Sequence, residues 1–296
     1  MRRFILGTDW WTDCDDAVAM RLVARAVKRG EIGLLGIAIN AAMEYSVPSL
    51  DGFWRREGVE VPPIGIDREA VDFGGRPPYQ ARLAAYSNGR TNADAEDAVK
   101  LYRRLLAEAE QPVEIMEIGY LNAVAALLTS GGDEFSPLDG RTLVAQKVSH
   151  MWVMAGQWDR EVGRENNFAR NARAATAAHA FCRHCPVPVT FLGYEVGDTV
   201  KTGGELEAGD HLHDVLCDHR SPHGRWSWDP MLVSLALVGD AEAAGYRQVT
   251  GKAEVDAETG ENRFTQAVDG PHSYVIKARD DRAYEQQINK AIASET

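Results

Sequence analysis

Short apolar runs rich in β-branched residues alternate with helix-like stretches along most of this chain. The runs are RFILG (3–7), GLLGIAI (33–39), VPPIGI (61–66), PVEIMEIG (112–119), KVSHMWVMAG (147–156) and VPVTFLGYEV (187–196). Helical patterns fall between several of them, at 15–29, 45–57, 94–110, 121–129 and 172–184. Strand, helix, strand in succession requires right-handed crossovers, which leave the strands parallel. Parallel strands are buried on both sides, so the pattern predicts an α/β protein: a mostly parallel central sheet with helices on both faces. Ligands of such sheets bind outside the carboxyl ends of the strands, which makes the residues after each run the place to look for chemistry.

The chain has 296 residues, 45% of them hydrophobic, enough for a substantial core. It has no internal repeat, low-complexity tract or linker, so residues 1–296 read as a single domain. The connection 67–93 is long and reads as a functional loop or lid. A second long segment, 199–228, carries His211, His213, His219 and His223. The stretch 250–296 reads as a β-hairpin pair and a final helix. A net charge of −12 argues against a nucleic-acid backbone or an anionic membrane surface as partner, because either would repel the chain. Nothing approaches a membrane span, and the apolar run before Gly7 is too short for a signal peptide, so a cytoplasmic location is expected. Cys182 and Cys185 could form half a zinc site, but Cys217 and His219 make a poor second half.

The segment GTDWWTDCDDAVAM (7–20) follows the first apolar run and holds Asp9, Asp13, Asp15 and Asp16. Asp13 or Thr12 suits the cap of the helix that follows, and acids in a first turn complement its dipole. Asp9 stands before the cap, at the strand end. Four carboxylates there repel one another unless they share a cation, and hard oxygen donors suit Ca²⁺ or Mg²⁺.

ILGTDWWTDCDDAVAM (5–20) resembles the N-terminal signature of the inosine-uridine preferring nucleoside hydrolase family. Further segments follow in the family's order: GIAIN (36–40), IGYLNAVAALL (118–128), MAGQW (154–158), RENNFARNARAA (164–175) and SWDPMLV (227–233). The resemblance spans about residues 3–240 and implies the nucleoside hydrolase-like, open Rossmann-like fold. It further implies calcium-dependent hydrolysis of the N-glycosidic bond of a nucleoside or related riboside. In the family a calcium ion binds a water and the ribose 2′- and 3′-hydroxyls. Carried over, Asp9, Asp16 and Asp229 are the carboxylate ligands, the Leu121 carbonyl joins them, and Asp9 takes the proton from the attacking water. Asp15, Asn40, Glu165 and Asn167 match ribose binders, and Trp10 and Trp228 are pocket-wall or stacking candidates. The family's habit is a homodimer or homotetramer, and its work is nucleoside salvage.

The sequence departs from the family at two points. Gly7 replaces the first acid of the usual Asp-Thr-Asp. Trp228 stands where many members have the histidine that protonates the leaving base, and an indole donates no catalytic proton. Purine-specific relatives instead stack the base between tryptophans; His223 is a substitute acid to consider. These departures motivate an alternative, a catalytically weak relative that binds a ribosyl or polyol ligand with metal. A phosphohydrolase is disfavoured, since no Gly-rich phosphate loop follows the first strand.

Overall fold

The computed structural model describes residues 1–293. All six apolar runs form strands: β1 (Arg2–Thr8), β2 (Ile32–Ile39), β3 (Ile64–Ile66), β5 (Val113–Glu117), β6 (Val148–Met154) and β7 (Val189–Leu192). Joined by β4 (Glu96–Asp97), β10 (Tyr246–Val255), β11 (Asn262–Gln266) and β12 (His272–Lys277), they make a ten-stranded sheet of order β11-β10-β12-β7-β6-β5-β1-β2-β3-β4. Every pairing from β12 to β4 is parallel, and β10 runs antiparallel to both β11 and β12. A separate two-stranded ribbon pairs β8 (Lys201–Thr202) with β9 (Arg225–Trp226).

Alternation along β1 sends its side chains to two cores. Phe4 and Leu6 pack under the helices Asp15–Lys28, Ser46–Glu57, His211–Asp218, Trp228–Val238 and Asp281–Ile292. Ile5 faces the opposite layer, formed by Ala98–Glu108, Asn122–Thr129, Gly140–Lys147 and Ala172–His184. From β1 the chain builds β2, β3 and β4 to one side, then returns to build β5, β6 and β7 on the other. The strand order reverses at β1, so the crevice opens at its carboxyl end.

Three segments differ from their sequence reading. The stretch 199–228 contains the helix His211–Asp218 and the β8–β9 ribbon. The helix Trp228–Val238 was not legible because Met231, Leu232, Val233, Leu235 and Ala236 bury it on nearly every side, which erases the amphipathic period. At the C-terminal end only β10 and β11 form a hairpin, and β12 inserts between β10 and β7. No helix among the described residues is long and apolar enough to cross a membrane.

Candidate functional site

After β1 the chain passes Asp9 and turns at Trp10, whose φ of 45° lies in the left-handed region that a bulky residue rarely adopts. The turn is held by the Trp10 amide, which donates to Thr8 Oγ1 at 3.0 Å and to Asp16 Oδ1 at 3.2 Å. It drives the Trp10 indole into the core, where Nε1 donates to Ser49 Oγ at 2.7 Å and the ring meets Phe53 and Tyr79 edge-on. Trp11 faces the crevice instead, with Nε1 on the Gly74 carbonyl at 2.6 Å and the Arg170 guanidinium 4.5 Å from its ring. The long connection 67–93 straps this loop. Tyr79 donates its hydroxyl to the carbonyls of Trp11 and Asp13, at 2.7 and 2.8 Å, and Gln80 donates to that of Trp10.

Asp13 is not a helix cap. Cys14 occupies the cap position of Asp15–Lys28 without a side-chain cap bond. Asp13 instead pairs with Arg225, whose Nε donates to Oδ1 at 2.8 Å. Burial opposes ionisation of Asp13, but the two N–H bonds from Arg225 hold its carboxyl below the usual range.

Asp15, Asp16 and Asp229 are buried, with one carboxylate oxygen from each lying within 4.8 Å of the other two. Two helices bring them together: Asp15 and Asp16 open Asp15–Lys28, and Asp229 lies in the first turn of Trp228–Val238. The Asp229 amide donates to Asp15 Oδ2 at 3.1 Å, and the Thr8 hydroxyl donates to Asp16 Oδ1. Two helix N-termini thus point positive dipole ends at one group of acids. That field does not offset the burial and mutual repulsion, which push all three carboxyls well above their usual range. Burial, followed by the charge of Asp15, likewise raises Asp9 to about 8. Hard oxygen donors this close, buried and unmatched by any Lys or Arg ion pair among the described residues, fit a divalent cation.

These acids border a cavity of about 270 Å³, close to the lower limit for small-molecule sites. Glu165 and Asn167 line it too. Glu165 is fixed by the amides of Asn167 and Gly156, at 2.8 and 3.0 Å, and burial raises its carboxyl to about 7. Asn167 Nδ2 donates to the Met154 carbonyl at 2.9 Å. Trp228 lines the cavity, stacked on Tyr194 with ring centroids 5.5 Å apart, its Nε1 on the Tyr194 carbonyl. Asn40 lies fully buried; its Oδ1 accepts the Tyr120 amide at 3.1 Å, and its Nδ2 has no partner among the described residues.

The structure does not bring every candidate to the cavity wall. Trp10 is buried in the core. Leu121 caps the helix Asn122–Thr129, its carbonyl accepting the Ala125 amide at 2.8 Å, and Ile118 is the residue of this segment that lines the cavity. His223 lines a neighbouring depression. Trp158, from the MAGQW segment, packs in the core among Phe168, Phe191 and Phe264. Among the described residues, no metal-ligating group joins Cys182 and Cys185 to Cys217 and His219.

Sequence reading missed Arg225 and Tyr194, which reach the cavity from segments without a family match. It missed Glu117 as well. A Cβ at Gly7 would lie 1.9 Å from Glu117 Oε2, so the acid of the adjacent strand fills the space a side chain at position 7 would need.

Superposition over nearly the whole chain identifies this mostly parallel sheet with helices around it as the nucleoside hydrolase fold. A plant nucleoside hydrolase superposes with a TM-score of 0.74 at 14% identity, covering 99% of either chain. The inosine-uridine preferring nucleoside hydrolase of Bacillus anthracis gives 0.68 at 14% identity, over 98% of this chain and 100% of that one. The type III effector XopQ, solved with adenosine diphosphate ribose, gives 0.69 at 16% identity, over 98% and 92%. No family model matches the chain, and no curated protein matches it by sequence.

Proposed function

We propose that this chain is a calcium-dependent N-ribohydrolase that splits a nucleoside or related N-riboside into free base and ribose. The observation that carries the reading is the convergence of Asp9, Asp15, Asp16 and Asp229 on one cavity also lined by Glu165, Asn167 and Trp228. When held by these carboxylates, a calcium ion would acidify a water and grip the vicinal 2′- and 3′-hydroxyls of a ribose. Asp9, Asp16 and Asp229 are the proposed ligands, with Asp15 in reach of the same position and of a ribose hydroxyl. Asp9, its Oδ1 fixed by the Trp11 amide at 3.2 Å, accepts the proton of the attacking water. Glu165 and Asn167 bind further sugar hydroxyls. Their hydrogen bonds, and the negative charge around the sugar, strengthen as the ribose becomes oxocarbenium-like. Trp228 and Trp11 offer aromatic faces to the leaving base. The protein is expected in the cytoplasm, as a dimer or tetramer.

Purified protein with calcium should release reducing sugar from at least one riboside, and Asp9→Ala should abolish the release. A broad riboside panel yielding no sugar overturns the reading. The absence of a histidine at 228 favours one second reading, a metal-dependent ribosyl binder without turnover. Calorimetry separates the two, because the binder takes up a nucleoside only with metal and returns it intact.

A further inference from the structure

Beside the acid cavity lies a second depression, of about 260 Å³, lined among others by Lys201, Arg220, Ser221, His223, Arg225 and Trp226. Arg225 lines both, so the two spaces share a wall. No carboxylate is among the lining residues, although the chain carries a net charge of −12. The larger depression at Arg21 is different, because Glu57 and Asp210 there pair with the Arg21 guanidinium. The Lys201 ammonium is poised 4.3 Å from the Trp226 ring. Lys201 and Arg220 make no ion pair among the described residues. Arg225 gives Nε and Nη2 to Asp13, and its Nη1 has no protein partner among them.

We propose that this depression is an oxyanion subsite continuous with the acid cavity, and that it receives the phosphate end of a phosphorylated riboside whose sugar lies over the aspartates. Guanidinium and ammonium donors are the groups that recognise phosphate. The carboxylates of the cavity repel an anion, so the phosphate is driven to the wall that Arg225 shares. The assignment of the phosphate to a riboside substrate rests on the N-ribohydrolase reading, and the oxyanion subsite itself does not.

The subsite is tested first on metal-free protein, by calorimetric titration with sodium pyrophosphate. Binding that weakens with added salt is expected. The double variant Lys201→Gln/Arg220→Gly should bind about tenfold or more weakly, since each cation contributes charge-assisted hydrogen bonds. Arg220 has a φ of 65°, which glycine adopts without strain, and a melting temperature within a few degrees of the parent's separates lost binding from misfolding. No pyrophosphate binding at millimolar concentration, or equal affinity in the variant, overturns the subsite. With calcium present, tighter binding of adenosine 5′-diphosphate than of adenosine supports the phosphorylated riboside, and no preference overturns that part. A preference without sugar release from either compound counts against the hydrolytic reading and leaves the subsite standing.

Discussion

Trp10 and Trp228 both belong to acid motifs, yet the backbone gives them different surroundings. The left-handed turn at Trp10 buries its indole against Ser49, Phe53 and Tyr79. Trp10→Ala should therefore cost about 3–5 kcal/mol of stability, read by chemical denaturation. Trp228 is half-buried on the cavity wall, stacked on Tyr194. Trp228→Ala should cost under about 1.5 kcal/mol, with its main effect on riboside KM. Equal stability losses in the two variants would contradict this division. Neighbouring tryptophans look alike in a sequence, and the sign of one φ angle decides which of Trp10 and Trp11 faces the cavity.

At the scale of elements, the ends of β1 and β5 are fitted to each other at Gly7 and Glu117. Glu117 is buried, and its Oε1 accepts the Tyr102 hydroxyl at 2.5 Å. Any side chain at position 7 must displace that carboxylate. Gly7→Ala should destabilise by about 1–3 kcal/mol, and Glu117→Ala in the same chain should recover part of the loss in a double-mutant cycle. Full additivity of the two changes would refute the fit. Burial also raises the Glu117 carboxyl to about 8. The folded state keeps this proton where the unfolded chain releases it, so stability falls as pH rises from the ordinary carboxylate range through 8. With calcium saturating, Glu117→Gln should flatten that fall in a series of melting curves from acid to mildly alkaline pH. An unchanged slope would remove Glu117 from the account.

For the whole molecule, the proposed ion site ties ion binding to folding. Burial pushes Asp9 up to about 8, and burial followed by the charge of neighbouring carboxylates raises Asp15, Asp16 and Asp229 well above their usual range. Metal-free protein should thus lose stability as pH climbs from about 4 through 8, the unfolded chain having given up protons that the folded chain retains. Calcium should stabilise more at pH 8 than at pH 5, because protons compete for the same oxygens. A ligand at a hundredfold its Kd is worth about 2.7 kcal/mol. Asp229→Asn should remove most of the calcium-induced rise in melting temperature. A rise that is independent of pH, or that survives the substitution, would show that the ion binds elsewhere.

The strand and helix alternation was enough to specify the parallel sheet and the edge where chemistry belongs, because burial on both faces and right-handed crossovers leave few other arrangements. The acid-rich strand end was legible because a carboxylate cluster after a strand has few structural uses, whereas the distant SWDPMLV segment was legible only through its resemblance to the nucleoside hydrolase family. Fine placement was not legible. The Trp10 turn, the clasp of Asp13 by Arg225, the filling of Gly7's space by Glu117 and the basic depression behind Arg225 each join residues from different elements or turn on one backbone angle. Local pattern fixes periodicity and burial, whereas contacts between distant segments are decided only when the sheet order and the helix N-termini bring them into the same few ångströms.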